Sequence, residues 1–409
     1  MHRIKYQYLL CFAVLGCEIP YAPLYLQERG LSDSQIGMVM SLGGVSVLLM
    51  PVLTSLLTDL KLAHRALIRA ICLGQAVALS LLLASHSLWY LMASYWLWTL
   101  MMAPLTTLLD GLVFSERSRR EQGGQPVTPY HHIRAVGTFG FILPAFLLYW
   151  IIDPDVSVGP ALLCGVVMAG FAAGYSFFLP RTRGPLGEPA ATLEVLDPHP
   201  PSRPGRHVPT LLALKRMMQP DIALFCVAMW LSQLAFSTYY AFYPIYLSRV
   251  IGVQDQWQGL ISAVGVVLEI GYLMAFGWLL KKLGLKWLVA LGLASVAARM
   301  ALLALMPNLA VAIGTQLLHG LAVVGTFVTP PLYLNHRAEP EFRNSMQGLY
   351  AVFVFGTGMI AGNLLSGQIA EHAQNHVLTA FAVTAMIAGG ATLMFVLFFK
   401  DRSETMLTP

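Results

Sequence analysis

VLTAFAVTAMIAGGATLMFVLFF, residues 377–399, is the stretch that decides the fold class, because it contains no Asp, Glu, Lys or Arg. A helix needs about 20 apolar residues to cross the hydrocarbon core of a bilayer, which is about 30 Å thick. Residues 88–109 and 136–152 are uncharged in the same way. These stretches predict helices that span a membrane.

The composition agrees with a membrane location. Hydrophobic residues make up 57% of the 409 residues, and charged residues only 11%, against about 25% in soluble domains. So few charges cannot cover a water-exposed surface. We expect an all-α integral membrane protein embedded in a lipid bilayer. The net charge of +5 does not indicate binding to nucleic acid, and none is expected.

The basic residues support a count of twelve transmembrane helices. Lys and Arg concentrate in the cytoplasmic loops of membrane proteins, and here they fall in alternate loops between the apolar stretches. The opposite loops contain only Arg29 and Arg249. We therefore predict a multi-pass protein of a bacterial-type inner membrane, with both termini in the cytoplasm.

A proline-rich segment divides the chain. Residues 184–209 contain seven prolines and few apolar residues, which is typical of an unstructured linker. We predict an N-terminal six-helix half over residues 1–180, a cytoplasmic linker over 181–215 and a C-terminal six-helix half over 216–409. Two halves that rock around a central site are typical of secondary transporters. We expect a monomer.

Sequence signals for enzyme chemistry are missing. The five cysteines lie in apolar runs without the spacing of metal ligands. The chain also shows no nucleotide-binding loop and no nucleophile with a base partner. We expect neither an enzyme nor a bound cofactor or metal.

Ionisable residues inside the apolar stretches are the candidate functional residues, because a charge at the bilayer centre is costly unless it is paired or hydrated. Glu269, Arg299 and His319 share one depth on three consecutive helices, which favours a common function. Two alternatives remain: Asp110 and Arg134, which flank the fourth loop, as a topological pair at the interface, and His319, taken alone, as a hydrogen-bonded core histidine. The six residues are Glu18, Asp110, Arg134, Glu269, Arg299 and His319.

Their charges do not balance. Three carboxylates face two arginines and one histidine, so one negative charge is uncompensated when the histidine is neutral. That state is costly in a low-dielectric interior, and either a carboxyl group or the histidine must bind a proton. The imbalance predicts coupling to protons.

Five short motifs point to a known family. They are GLSDSQIG (30–37), YHHIRAVG (130–137), GVVLEI (265–270), AARM (297–300) and QLLHG (316–320). Together they resemble the lactose permease and phenylpropionate permease group of proton symporters within the major facilitator superfamily. The resemblance covers nearly the whole chain. It implies the major facilitator fold and transport of a small molecule together with protons.

The resemblance also implies roles for single residues. Asp110 and Arg134 match the acid and the arginine that hold the substrate in lactose permease. Phe141 stands where lactose permease has a tryptophan that stacks on the sugar, and Tyr272 stands in place of an amide. Tyr240 is a further aromatic candidate for the cavity, although aromatic residues are also common at membrane interfaces.

For proton coupling, the resemblance indicates Glu269, Arg299 and His319. Ala322 departs from the pattern, because lactose permease has at that position the carboxylate that carries the proton. The proton carrier must then be another group, and Glu18 is the additional candidate.

The expected function is a proton-coupled symporter that imports a small organic solute by alternating access. The solute is expected to be an aromatic or other monocarboxylate, or a nucleoside or sugar. The alternative is a proton-driven exporter of amphipathic compounds, since exporters of this fold can place a single acid in the first helix, as Glu18 is placed. The proton gradient would be the energy source in either case.

Overall fold

The computed structural model describes residues 1–59, 64–153, 155–180, 209–339, 342–374 and 376–400. Within these ranges the chain is helical almost throughout and contains no β-strand. The helices are α1 (His2–Glu18), α2 (Ala22–Glu28), α3 (Asp33–Asp59), α4 (His64–Ala84), α5 (Leu88–Met102), α6 (Leu105–Gln122), α7 (Tyr130–Ile151), α8 (Gly159–Tyr175), α9 (Pro209–Met217), α10 (Pro220–Ile245), α11 (Gln258–Leu305), α12 (Leu309–Gly314), α13 (Gln316–Val323), α14 (Thr329–Arg337), α15 (Arg343–Tyr350), α16 (Thr357–His372) and α17 (His376–Phe398).

Eleven segments in the described part are long and apolar enough to cross a membrane. One of them, Asp255–Leu305, is 51 residues long and bends at Gly284, where φ is 73°. A straight helix of that length would be about 75 Å long, far more than a bilayer is thick. The segment is therefore two spans, which brings the eleven to twelve. The predicted all-α fold with twelve transmembrane helices is confirmed.

Prolines interrupt two of the spans. Pro20 lies between α1 and α2, and Pro104 lies between α5 and α6. Proline lacks the backbone N–H that continues a helix, and a break inside a membrane must be buried in protein or water-lined. These breaks place Glu18 at the last residue of α1 and Asp110 in the second turn of α6.

The outer surface is apolar, as a lipid-facing surface must be. Trp150 and Met274 are each 84% exposed, and many other large hydrophobic side chains on the helices are exposed as well. A monomeric protein in water rarely exposes contiguous apolar surface of this kind. The bilayer covers these side chains.

The chain folds into two compact units. Unit 1 comprises Met1–Ala190 and Tyr240–Val264, and unit 2 comprises Ala191–Tyr239 and Gly265–Pro409. Most of the predicted linker, residues 181–208, lies outside the described residues, and residues 209–215 belong to α9. The predicted boundaries at 180 and 216 stay a prediction.

Unit 1 includes Tyr240–Val264 because this segment packs against the helices that begin the chain. Arg249 Nη1 lies 2.8 Å from Asp33 Oδ2 in an ion pair. The N–H of Gly259 donates a hydrogen bond to the hydroxyl of Tyr21, with an N–O distance of 3.1 Å. These contacts attach the segment after α10 to the start of α3, and the start of α11 to the turn between α1 and α2.

The core of unit 1 is formed where α1 crosses α7, and glycines set the distance between these helices. A Cβ atom at Gly140 would overlap the carbonyl oxygen of Leu9 and lie 2.8 Å from its Cα. A Cβ atom at Gly16 would collide with the carbonyl of Phe141. Small residues allow this close approach of backbones, a common means of helix packing in membranes.

We expect Gly140→Ala to destabilise the protein by about 1–3 kcal/mol, the usual cost of overpacking a core. The matched control is Gly170→Ala on α8, because no atom lies within 4 Å of a Cβ atom built there. Thermal unfolding in detergent compares the two. A midpoint for Gly140→Ala equal to that of the control would contradict the close contact between α1 and α7.

Unit 2 has an aromatic core. The rings of Phe225 and Tyr333 stack with centroids 4.3 Å apart, and those of Phe395 and Phe399 with centroids 4.5 Å apart. Aromatic pairs at these separations add to the stability gained from burial alone. The rings of Phe225 and Phe395 are 6.0 Å apart between centroids, so this packing joins α10, α14 and α17.

Candidate functional site

A first group of polar side chains lies in unit 1 and is called the Asp110 cluster. Asp110 is 3% exposed, and its Oδ1 atom accepts hydrogen bonds from two tyrosine hydroxyls. One comes from Tyr8 on α1, and the other comes from Tyr130 on α7 at 2.9 Å. Arg134 on α7 and Phe12 on α1 complete the cluster, with the guanidinium carbon 4.8 Å from the ring centroid.

Helix periodicity explains these positions. Residues four apart lie on the same face of a helix, which places Tyr130 and Arg134 together on α7. The same spacing places Tyr8 and Phe12 together on α1, where their rings stack with centroids 6.1 Å apart. The crossing of α1 and α7 then brings the two faces to Asp110.

The Asp110 cluster leaves one donor and one acceptor open. Among the described residues, Asp110 and Arg134 form no ion pair within 4.0 Å. The buried Nη1 atom of Arg134 has no hydrogen-bond partner there. Both tyrosines bind Oδ1 of Asp110, and no described residue donates to Oδ2. The cluster can therefore donate to a ligand through Nη1 and accept from it through Oδ2.

A second group lies in unit 2 and is called the Arg299 cluster, after a side chain that is 2% exposed. Arg299 Nη1 lies 2.8 Å from His319 Nδ1, and Nη2 donates to Gln316 Oε1 at 2.8 Å. The guanidinium lies over the ring of Tyr239, with its carbon 3.6 Å from the centroid. His319 Nε2 faces Glu269 Oε2 at 3.5 Å.

These contacts determine which nitrogen of His319 carries a proton. A guanidinium group has only donors, so Nδ1 of His319 must accept from Arg299. The proton of the neutral imidazole then lies on Nε2, the nitrogen that faces Glu269. In this arrangement the histidine is neutral, and the charges of Arg299 and Glu269 lie on either side of it.

Close packing of α11 against α13 brings Glu269 next to His319. A Cβ atom at Gly320 would lie 2.8 Å from the Cα of Glu269 and would collide with the ring of Tyr272. Only glycine fits between the two helices at this point. The structure thus brings together Glu269, Arg299 and His319, which the sequence placed at one depth.

Glu18 is a member of neither cluster. It is 2% exposed, and its Oε1 atom has no hydrogen-bond partner in the described part of the chain. Tyr95 on α5 is a neighbouring side chain. Glu18 is therefore a buried carboxyl group at a helix end with no compensating cation among the described residues.

The other predicted site residues are members of neither cluster. Phe141 is half-buried two turns after Arg134, and Tyr240 is half-buried on α10. Tyr272 is half-buried beside Gly320. Their proposed contacts with a substrate stay predictions.

A narrow crevice next to the Arg299 cluster is lined by Phe236, Tyr239, Val296, Arg299, Met300 and Ala322. The position of Ala322 therefore borders the cluster without supplying a carboxylate.

Two side chains of the clusters, Tyr8 and Phe12, are absent from the residues predicted for the site. Their signal in the sequence is weak, because tyrosine and phenylalanine on apolar helices also serve packing and interface anchoring. The spacing of Tyr8 and Phe12 marks a common helix face but not the side chains that this face meets.

A twelve-span helical membrane protein with a buried, charged cluster in each of two units has the architecture of a secondary transporter. The family comparison agrees. The model of the MFS_1 like family matches residues 1–382, and the chain belongs to this family. The predicted membership of the major facilitator superfamily is confirmed.

Two curated relatives come from Escherichia coli (strain K12). The "Putative nucleoside transporter YegT" is 24% identical over 368 residues, covering 85% of this chain and 79% of the relative. The "Xanthosine permease" is 22% identical over 417 residues, covering 97% of this chain and 94% of the relative. The chain is thus a multi-pass membrane transporter of small molecules, and the relatives are transporters and not enzymes.

Solved structures show the same fold. The nucleoside transporter NupG superposes with a TM-score of 0.80 at 18% identity, covering 97% of this chain and 98% of NupG. An auto-inhibited peptide transporter of the POT family superposes with a TM-score of 0.66 at 15% identity, covering 97% and 96% of the two chains. At these identities the similarity establishes the fold alone.

Proposed function

We propose that the protein imports a nucleoside across the inner membrane together with protons. The observation that carries the proposal is the names of the two curated relatives, aligned over 85% and 97% of this chain: one is a putative nucleoside transporter and the other a permease for xanthosine, which is a nucleoside. In this proposal the protein works as a monomer, uses the proton gradient without a bound cofactor, and has both termini in the cytoplasm. The alternation of Lys and Arg among the loops supports the orientation.

The Asp110 cluster suits the ribose of a nucleoside. Two neighbouring hydroxyl groups can accept from Arg134 Nη1 and donate to Asp110 Oδ2, the two positions that the described residues leave open. A monocarboxylate can only accept, and it would meet the negative charge of Asp110. This chemistry favours a neutral, hydroxyl-bearing solute over the aromatic monocarboxylates that the sequence also allowed.

Aromatic side chains can hold the base. Base–aromatic stacking contributes about 1–3 kcal/mol per base in proteins that bind nucleic acids. We assign this role to Phe141 and Tyr240, which are half-buried and belong to the same unit as the Asp110 cluster. The base would thus be recognised mainly by its ring face and the sugar by hydrogen bonds.

The Arg299 cluster provides the proton coupling. With a neutral His319, the positive charge of Arg299 balances the negative charge of Glu269. A proton on Glu269 leaves Arg299 uncompensated in a buried site, so protonation changes the energy of this conformation. A ligand that changes the energies of two conformations unequally shifts their populations, and the proton acts here as that ligand.

Glu18 is the second candidate proton carrier. Its carboxyl group is buried without a hydrogen bond to Oε1 and lies at the C-terminal end of α1, where the helix dipole disfavours a negative charge. An ionised carboxylate in such a place is costly. The neutral form fits the structure, and release of its proton would require a changed environment.

Ligand-dependent thermal shifts of the purified protein test the substrate class. We expect purine or pyrimidine nucleosides to raise the unfolding temperature, since a ligand that binds only the folded state stabilises it. Free bases, aromatic monocarboxylates and galactosides are the comparison compounds. Stabilisation by a monocarboxylate without any response to nucleosides would refute the assignment.

A further inference from the structure

We propose that Gln316 is a positioning residue that holds His319 in one tautomer and thereby leaves Glu269 as the group that binds and releases the coupled proton. The proposal deepens the proposed function and rests on it for the role in transport. The tautomer itself can be measured without a substrate, so the two ideas can fail separately.

Gln316 links two members of the Arg299 cluster. Its Oε1 atom accepts from Arg299 Nη2 at 2.8 Å, and its Nε2 atom donates to the hydroxyl of Tyr239 at 3.1 Å. The orientation of the amide follows from chemistry, because a guanidinium cannot accept a hydrogen bond. Gln316 is 1% exposed, so water does not compete for these bonds.

These bonds restrict Arg299. The guanidinium is planar and presents its donors in a rigid fork. Gln316 holds one arm of the fork, His319 Nδ1 meets the other arm, and the ring of Tyr239 lies under the plane. A rotation that moved Nη1 away from His319 would also break the bond to Gln316.

The position of Arg299 in turn determines the state of His319. A proton on Nδ1 would point at a donor of Arg299, and a doubly protonated imidazole would add a positive charge 2.8 Å from the guanidinium. In the described part of the chain, the ionisable groups in contact with the ring include Arg299, Glu269 and Tyr239. Among them only Glu269 favours a charged histidine.

Glu269 is therefore the member of the pair that can exchange a proton. Its side chain is 26% exposed, whereas that of His319 is 6% exposed. The Nε2–H of His319 points towards Glu269 and stabilises the carboxylate. A protonated Glu269 loses this stabilisation while His319 and Arg299 stay unchanged.

A glycine supplies an independent observation. A Cβ atom at Gly265 would overlap Oε1 of Gln316 and lie 3.4 Å from Cδ2 of His319. Gly265 precedes Glu269 by one helical turn on α11. Helix α11, which carries Glu269, thus leaves space for the amide of Gln316, and this amide positions Arg299.

The first test is 15N NMR of the full-length protein, labelled at histidine and held in lipid nanodiscs, without substrate. The His319 signal is identified by its loss in His319→Asn. In the wild type we expect the neutral Nε2–H tautomer throughout about pH 5–8, the range in which histidine normally titrates. In Gln316→Met, which removes both hydrogen bonds at similar length, we expect the Nδ1–H tautomer or the charged form to appear as the pH falls. An unchanged pattern in Gln316→Met would overturn the proposal.

A second variant covers the case in which Gln316→Met fails to fold. Gly265→Ala keeps every polar group and displaces only the amide, so we expect it to give the same mixed His319 signals. Gly271→Ala on the same helix is the control, because no atom lies within 4 Å of a Cβ atom built there. Identical spectra for the two alanine variants would contradict the positioning role.

The pH profile of nucleoside uptake separates positioning from packing. Loss of the two hydrogen bonds in Gln316→Met should shift the profile and lower uptake at neutral pH by about tenfold. Gln75→Met is the control, because the amide of Gln75 is buried without a hydrogen-bond partner in the described part of the chain. A uniform loss of uptake at every pH would indicate that Gln316 serves packing alone and would contradict the positioning role.

The two proposals can fail separately. If the wild type transports no nucleoside while the NMR contrast holds, the proposed function fails and the positioning role stands.

Discussion

Replacing Arg134 with lysine is expected to weaken nucleoside binding by about 10- to 100-fold, the usual effect of losing a charged hydrogen bond. The guanidinium of Arg134 lies over Phe12, and its Nη1 atom has no hydrogen-bond partner among the described residues, so it can donate to the ligand. Lysine keeps the charge but has a compact ammonium group in place of the planar fork. It cannot both face the ring and direct a donor at a ribose hydroxyl beside Asp110.

Binding is measured by calorimetry on purified protein with the nucleoside that gives the largest thermal shift. Arg119→Lys is the matched control, because Arg119 is an exposed arginine that pairs with Glu116 at 2.8 Å at the other end of α6. The control should bind normally. Wild-type affinity in Arg134→Lys would remove Arg134 from the substrate site.

Replacing Glu269 with glutamine is expected to uncouple transport from protons while leaving exchange intact. Glutamine keeps the size of the side chain and an oxygen that can face His319, but it cannot bind and release a proton. A transporter without that step equilibrates its substrate, since only coupling to the gradient allows accumulation. Nucleoside in vesicles should therefore reach the external concentration and stop there.

Counterflow and gradient-driven uptake in proteoliposomes measure the two properties separately. Glu121→Gln is the control, because Glu121 is an exposed acid on α6 that pairs with Arg117 at 3.7 Å. It should accumulate nucleoside as the wild type does. If Glu18→Gln abolishes accumulation and Glu269→Gln does not, the coupled proton is carried in unit 1 and the assignment to Glu269 is wrong.

The architecture could be predicted because a bilayer imposes strict physical limits. The length of an apolar helix is set by the thickness of the hydrocarbon core, so residues 377–399 alone indicated a membrane span. A charge in that core is costly, so Glu269, Arg299 and His319 were conspicuous before their positions were known. Hydrophobic length and misplaced charge are both readable from a single sequence.

The partners of the buried charges could not be predicted in the same way. Tyr8 and Asp110 are 102 positions apart in the chain, and their contact depends on how α1 and α6 are rotated about their axes. Periodicity shows which residues share a helix face but not which faces meet. The Gln316 bridge depends further on Gly265, whose missing side chain is informative only once α11 and α13 are placed.

Sequence position also did not indicate where Tyr240–Val264 packs. In the sequence, the motif at residues 30–37 supports only the family resemblance, and Arg249 is only one of two basic residues in the loops opposite the cytoplasmic side. The structure joins Asp33 of that motif to Arg249 in an ion pair. This contact between distant parts of the chain has no local signal.

Accumulation of a radiolabelled nucleoside by proteoliposomes under an inward proton gradient tests the proposed proton-coupled import most directly. We predict that the nucleoside rises inside the vesicles above its external concentration, and that a protonophore abolishes this accumulation. Uptake that stops at the external concentration with the gradient intact, or expulsion of nucleoside from preloaded vesicles by that gradient, would contradict it.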